Sequence, residues 1–265
     1  MLIKKLSVFI CSSLLSCMVI AQNAAKENNT DEIIDSFLQC DSQFFEQLAK
    51  NKKYFSQYAD LDSFENIAYI PVQSMEYDNS NTTMLKKPIK YKGLTIVGYQ
   101  NIYIPTTLSG KFYYWGFIFN NNLDEVKNNL KNLNWLPYNN QVYIANPKIY
   151  DQKNKALLWQ DNPYSIDMVI PRLWTVEKSL YLENIADNQS RIACSIQGDI
   201  EKDILYLTRP DMKPLDAKIE AKRQEKIKAY KLKKQKENEE NLKSQQKKDM
   251  SKTSKENKSK GGDKI

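Results

Sequence analysis

The chain has 265 residues with no histidine, and it carries 39 Lys and Arg against 32 Asp and Glu. Without histidine, the Ser-His and Cys-His nucleophile pairs are excluded, together with the commonest general base and metal ligand. The charge is divided unevenly, because residues 213–265 hold 18 basic and 9 acidic side chains, which leaves 21 and 23 for residues 1–212. The sequence therefore predicts a mildly acidic body followed by a strongly basic tail.

The first residues have the pattern of a secretory signal. Two lysines precede an apolar run over residues 6–20, which is shorter than the roughly 18 to 20 residues that span a bilayer. Small or short side chains before the junction predict cleavage between Ala21 and Gln22. Lipidation is the alternative, because residues 14–17 resemble the lipobox of bacterial lipoproteins and would make Cys17 the acylated first residue. We therefore expect a periplasmic or secreted protein, or a lipoprotein anchored through Cys17.

The body begins with predicted helices. Residues 33–48 carry apolar side chains at helical spacing, and Asn29 or Thr30 can cap the start. Asp41 interrupts this apolar stripe, where a charge is costly, so we predict a break there, with Asp41 or Ser42 capping a second short helix.

The middle of the chain is predicted to be an antiparallel meander. Residues 60–63 turn the chain into a strand over 67–72, and a longer β-rich run covers 94–104, where Gly98 marks a bulge. The aromatic run over 112–119 is too apolar for a loop and too short for a helix, so it predicts a strand buried on both faces.

A capping box predicts the next helix. Asn122 is followed three residues later by Glu125, so a helix should start at Leu123 and lay its apolar stripe on the sheet. Residues 141–149 then resume a β-like pattern.

The C-terminal part of the body holds the clearest alternation of the chain. Residues 156–159 are a short strand candidate, and alternating apolar residues over 175–183 and 191–197 predict a hairpin. Asp199 is predicted to cap a short final helix over 200–206.

Together these elements predict an α+β domain over residues 22–212. Its mostly antiparallel sheet, built of meanders and hairpins, would be packed by a few short helices. Residues 213–243 are predicted to form a charged helical extension that resembles one strand of a coiled coil. Residues 244–265 are predicted to be a disordered lysine-rich tail, because they have almost no apolar side chains to offset the entropy of ordering.

The cysteines predict one covalent link in the body. Removal of the signal leaves Cys40 and Cys194, and an even pair in an exported chain is most simply a disulfide, with two free buried thiols as the alternative. Cys194 alternates with Ile192 and Ile196 on the inward face of its strand, so it should reach the core. Two isolated cysteines make a poor zinc site, since zinc prefers four such ligands. No metal or cofactor is therefore predicted.

Few residues suggest a catalytic site. No glycine-rich phosphate cradle is present. Acidic side chains could support a carboxylate-only hydrolase such as a glycosidase, although their spacing is uninformative: Glu76, Asp78, Asp161 and Asp167. The aromatic residues of 113–119 could stack on a sugar or a base, but such runs more often build a core. No catalytic residue is predicted.

Three classes of function remain. The first is a non-catalytic envelope protein whose body binds another protein, as an inhibitor or an immunity protein does. The second is a protein whose tail, residues 213–265, docks on an anionic membrane or cell-wall surface. The third is a carboxylate-based hydrolase. A nucleic-acid partner is not expected, because an exported protein rarely meets one and the tail has a single aromatic residue, Tyr230.

Overall fold

The computed structural model describes residues 29–76, 79–106, 110–154, 158–167 and 169–259. Within it the chain divides into two compact units, which we call the body, Met1–Met212, and the tail, Lys213–Ile265. The predicted cleavage site at Ala21 and Gln22 lies outside the described residues, as do Cys17 and Asp78.

The body combines short helices with longer strands. The helices are α1 (residues 29–37), α2 (Gln43–Lys50), α3 (Lys52–Phe55), α4 (Leu123–Asn129) and α5 (Lys202–Thr208), with a 3-10 turn at Asn79–Asn81. The first strands are β1 (Asp62–Phe64), β2 (Ile67–Tyr69), β3 (Thr82–Tyr91), β4 (Leu94–Pro105) and β5 (Lys111–Phe119). The remaining strands are β6 (Leu136–Pro137), β7 (Val142–Asp151), β8 (Gln160–Asp161), β9 (Thr175–Ala186) and β10 (Gln189–Gly198).

Eight of these strands form one antiparallel sheet in the order β3-β4-β5-β10-β9-β7-β6, with β8 also paired to β7. The strands β1 and β2 form a separate hairpin. The predicted α+β class is therefore confirmed, as are the meander of β3 to β5 and the hairpin of β9 and β10. The last hairpin enters the middle of the sheet, because β10 pairs with both β5 and β9.

Strand alternation gives the sheet two different faces. On one, which we call the helical face, the ring of Phe117 lies 4.9 Å from that of Phe37 in α1 and 5.8 Å from that of Phe44 in α2. The residues one position along each strand, such as Tyr114 and Tyr181, belong to the opposite face, which we call the open face. The aromatic core of the body thus lies between the sheet and the first helices.

A disulfide joins Cys40 and Cys194, as predicted, with 5.3 Å between their Cα atoms. Cys194 lies in the central strand β10, and Cys40 follows α1 in a left-handed backbone conformation with φ of 53°. Both side chains are buried. The first helices are therefore fixed covalently to the middle of the sheet, across 154 positions of sequence.

The helix break near Asp41 is confirmed, and Ser42 holds the N-cap position of α2 as predicted, but the predicted caps of α1 are wrong. Asn29 and Thr30 lie within helical residues, and the hydroxyl of Thr30 is 2.8 Å from that of Tyr54, so Thr30 links α1 to α3. Ser42 precedes α2 without a side-chain capping bond. The carboxylate of Asp41 instead accepts a hydrogen bond from the backbone N of Gln43 at 2.9 Å.

The prediction for α4 is confirmed in detail. The side chain of Asn122 accepts from the backbone N of Glu125 at 2.9 Å, and the carboxylate of Glu125 accepts from the backbone N of Asn122 at 3.0 Å. These two bonds form a capping box, and the helix starts at Leu123. The bulge at Gly98 is also confirmed, because the pairing of β4 with β5 shifts between Ile96 and Gly98.

Three other boundaries differ from prediction. The strand expected over 67–72 ends at Tyr69, and its partner strand β1 occupies part of the expected turn over 60–63. Of the strand candidate 156–159, the described residues 158 and 159 are not β, and β8 follows them.

The final helix of the body also starts later than predicted. Helix α5 starts at Lys202 after Glu201, so Asp199 is not its cap. The backbone of Asp199 is bound to the sheet, because its N donates to the carbonyl of Thr175 at 3.2 Å. Its carbonyl accepts from the side chain of Gln152 at 2.5 Å. These bonds hold Asp199 in the layer of the sheet and delay the helix.

The described part of the tail is one helix, α6 (Met212–Ser259), which begins at the last residue of the body. It extends past residue 244, where the sequence predicts that disorder begins. The helix can continue beyond residue 244 because no proline or glycine lies between residues 215 and 259. Lysine, glutamate and glutamine are also good helix formers. Among the described helices, none has a stretch long and apolar enough to cross a membrane.

Candidate functional site

The acidic residues considered for hydrolysis do not assemble in the described part of the chain. Glu76 is exposed before the 3-10 turn, whereas Asp161 and Asp167 are exposed in the segment that follows β7. Asp161 forms an ion pair with Lys148 at 2.5 Å. Within the described residues, no group of three or more His, Cys, Asp or Glu side chains could hold a metal ion.

The aromatic run of β5 mostly builds the core. Tyr113, Trp115, Phe117 and Phe119 are buried on the helical face. Of the tyrosines and the tryptophan in this run, only Tyr114 belongs to the open face. Its ring centre lies 5.9 Å from that of Tyr181, in an edge-on arrangement. The run therefore does not present a flat aromatic platform on which a sugar or a base could stack.

Tyr114 and Tyr181 adjoin a polar network on the open face. Arg191 donates hydrogen bonds to the side chains of Gln100 and Glu183. Burial raises the pKa of Tyr114 to about 12 and also raises the pKa of Tyr181. Both phenols therefore stay protonated at neutral pH, so neither is a general base there. The arginine is paired with an acid, and the network links three strands of the sheet.

The strongest surface feature is a segment that sequence analysis did not identify. We call residues 158–167 and 169–174, which include β8, the apolar loop. Seven of the twelve large apolar side chains that are exposed among the described residues belong to it: Leu158, Tyr164, Ile166, Val169, Ile170, Leu173 and Trp174. Leu158 is 85% exposed and Leu173 is 77% exposed, so these side chains contact little of the body.

The backbone of the apolar loop is fixed near its start. Asn162 is buried, and its backbone N donates to the carbonyl of Pro147 at 3.0 Å. The side-chain oxygen of Asn162 accepts from the backbone N of Tyr164 at 3.1 Å. The apolar side chains therefore project from a bound backbone.

The end of the apolar loop is fixed in the same way. The carbonyl of Trp174 accepts from the backbone N of Gln152 at 2.9 Å. The carbonyl of Arg172 accepts from both the backbone N and the hydroxyl of Thr175, at 3.0 and 2.6 Å. Leu173 lies between Arg172 and Trp174, so its exposure follows from the position of its backbone.

Two tryptophans of the apolar loop contact cations of the body. The ammonium of Lys178 lies 4.8 Å from the ring centre of Trp159, and that of Lys153 lies 5.7 Å from the ring centre of Trp174. Burial lowers the pKa of Lys178. These contacts orient both indole rings by cation-π attraction. With Asp167 and Arg172 also exposed, charges of both signs surround the apolar side chains.

The exposed side chains of the apolar loop would be stabilised strongly by burial. Full burial of one Val, Leu or Ile side chain is worth about 1.5–3 kcal/mol, and the apolar loop exposes several. Large apolar patches with a polar rim on soluble proteins mark interaction sites. The available sequence signal was the run of apolar residues without strand alternation, broken by Pro163 and Pro171.

Comparison with known protein families, curated proteins and solved structures finds no match for this chain. Its function is therefore inferred from its own residues. Among the described residues, the apolar loop groups seven exposed large apolar side chains.

Proposed function

We propose that this protein acts without catalysis, as an exported module that binds another protein of the cell envelope in the manner of an inhibitor or an immunity protein. The observation that carries the proposal is the apolar loop, whose large side chains are exposed while its backbone is bound at both ends. A surface whose backbone is already bound at both ends loses less conformational entropy on binding than a free one. The apolar loop is therefore suited to direct contact with a partner.

The charges within the apolar loop favour a protein partner over a lipid surface. Asp167 is exposed beside Ile166 in the middle of the loop, and Asp161 is exposed near its start. An anionic bilayer would repel these carboxylates, and insertion of the neighbouring side chains would desolvate them. A protein surface can instead offer a cation to Asp167 and an anion to Arg172, so the rim would add specificity.

Trp174 and Leu173 are the expected anchors of the interface. Tryptophan is enriched among the residues that dominate binding energy, and the ring of Trp174 is already oriented by Lys153. Leu173 is adjacent and strongly exposed. Truncation of either side chain should therefore weaken binding more than changes at the charged rim.

The test compares two leucines of similar exposure. Leu173 in the apolar loop is 77% exposed and Leu207 on α5 is 71% exposed. Leu173→Asp and Leu207→Asp should both leave the melting temperature nearly unchanged, because neither leucine is packed. The tagged full-length protein and both variants are used to capture proteins from their own cell envelope, and the recovered partner is then titrated in purified form. We expect Leu207→Asp to bind normally and Leu173→Asp to bind at least about tenfold more weakly.

Two results would contradict the proposal. One is a stoichiometric partner that binds Leu173→Asp as tightly as it binds the unmodified protein. The other is failure of the unmodified protein to retain any partner under conditions in which it is folded.

A further inference from the structure

The tail concentrates its charge in one short part of α6. Residues 226–236, which we call the basic segment, contain six lysines and no acidic residue, and Glu225 and Glu237 flank it. Every side chain of the basic segment is exposed except that of Ile227, which is half-buried. A net charge of +6 within 11 residues is the highest local charge density that the described part of the chain presents.

Within the described residues, little neutralises this charge. Lys233 is 4.0 Å from Glu237, and both side chains are more than half exposed, so this pair is weak. For the other five lysines, the described residues offer no carboxylate within ion-pair distance. Like charges one helical turn apart destabilise a helix. An anionic partner would remove this repulsion and gain attraction from the same lysines.

The helix places much of the charge on one side. Lys226, Lys233 and Lys236 recur at positions i, i+7 and i+10, so they share a side of a helix with 3.6 residues per turn. Tyr230 and Lys234 lie next to that side, and Tyr230 is 62% exposed. The basic segment is about 16 Å long at 1.5 Å per residue. A flat anionic surface can therefore contact several of the cations at once.

We infer that the basic segment docks on an anionic lipid bilayer by charge, without insertion of the helix. The absence of an apolar stripe along residues 226–236 argues against insertion, since an interfacial helix needs an apolar face. Tyrosine is enriched at the headgroup level of membranes, which suits Tyr230 on the charged side. Stacking on single-stranded nucleic acid would need more aromatic residues than this one.

This docking is independent of protein binding through the apolar loop. It uses other residues, in the other unit of the chain, and needs no partner protein. If both occur, the tail would hold the protein at the membrane surface, where the concentration of a membrane-associated partner is high.

The test uses the full-length protein and a variant with Lys226, Lys233, Lys234 and Lys236 all changed to Gln. Vesicles of phosphatidylcholine alone are compared with vesicles that also contain phosphatidylglycerol, by co-sedimentation at increasing salt. The unmodified protein should bind only the anionic vesicles and dissociate as the Debye length falls to about 8 Å near 0.15 M salt. Each lysine near an anionic surface contributes about a fivefold gain, so the variant should bind at least about a hundredfold more weakly.

The matched control changes Lys243, Lys247, Lys248 and Lys252 to Gln. It removes the same number of charges, four, from another part of the tail. Lysine and glutamine have similar helix propensities. The control should bind within a few-fold of the unmodified protein. Equal loss in the two variants would show that only the total charge matters and would overturn the assignment to the basic segment. Equal binding to both vesicle types, or to neither, would overturn docking on anionic lipid.

Discussion

The body and the tail both contain helices and lysines, but different interactions hold them in place. In the body, Phe37 of α1 packs on Phe117 of β5, and Cys40 is bonded to Cys194 across 154 positions of sequence. In the tail, Gln224 bonds to Glu220 at 2.7 Å and Lys233 lies 4.0 Å from Glu237, and both pairs join residues four positions apart. The order of the body thus depends on residues distant in sequence, whereas the order of the tail is local.

This difference predicts how each region responds to a lost interaction. A region held by distant contacts unfolds as a unit, so one change in its core lowers the stability of the whole. A helix held by local pairs loses helical structure near the change and keeps it elsewhere. Changes in the body should therefore have large and global effects, and removal of the tail should have almost none on the body.

Loss of the disulfide should have the largest effect. Cys40→Ser and Cys194→Ser should each lower the free energy of unfolding by about 5 kcal/mol, because the link spans 154 positions of sequence and the unfolded chain gains the freedom that it removed. Urea unfolding of the oxidised protein and the variants measures this difference. Both single variants, the double variant and the reduced protein should have similar stabilities. Unequal and additive losses would show that the two cysteines contribute mainly through packing.

The buried ion pair at the end of the body should rank next. Arg209 and Asp211 are almost fully buried, and the guanidinium donates to the carboxylate at 2.8 and 2.6 Å. The guanidinium also lies 4.5 Å from the ring centre of Trp115. Asp211→Ala leaves this charge unpaired in the core and should cost about 3–5 kcal/mol in urea unfolding.

A double variant tests the cause of that loss. Arg209→Met combined with Asp211→Leu removes both charges and keeps apolar volume, so it should be less destabilised than Asp211→Ala alone. A double variant that is less stable than Asp211→Ala would show that the attraction within the ion pair contributes more to stability than the penalty of an unpaired buried charge.

The elements that could be predicted from the sequence are those whose signal is local or periodic. The capping box of Asn122 and Glu125 needs only four consecutive residues, and the alternation around Cys194 marks its inward face directly. The even pair of cysteines in the body, together with the inward position of Cys194, was enough to predict the disulfide. These elements were predictable because each depends on backbone geometry that neighbouring residues determine.

Features that depend on residues distant in sequence could not be predicted. Asp199 has the side chain of a good cap, but its backbone is bound to Thr175 in the sheet. The exposure of the apolar loop depends on bonds such as that of Asn162 to Pro147. Composition alone suggests burial for apolar residues such as Leu173. The order of the strands, with β10 between β5 and β9, depends on long-range pairing in the same way.

Removal of most of the tail should have the smallest effect. The start of α6 is retained because Met212 and Pro214 are buried, whereas residues 224–240 are exposed apart from the half-buried Ile227. Truncation after Ala221 should therefore leave the melting temperature and the urea m-value of the body nearly unchanged, since an exposed helix adds little buried surface to the transition.

The same truncation also tests whether the order of the tail is local. A peptide of residues 222–259, mixed with the truncated protein, should reproduce the far-ultraviolet circular dichroism of the full-length chain, because a helix held by neighbouring residues needs no support from the body. A deficit of helical signal in the mixture would show that the helix depends on the body. A lower melting temperature after truncation would show that the dependence also runs in the other direction, and the contrast between the two regions would then be lost.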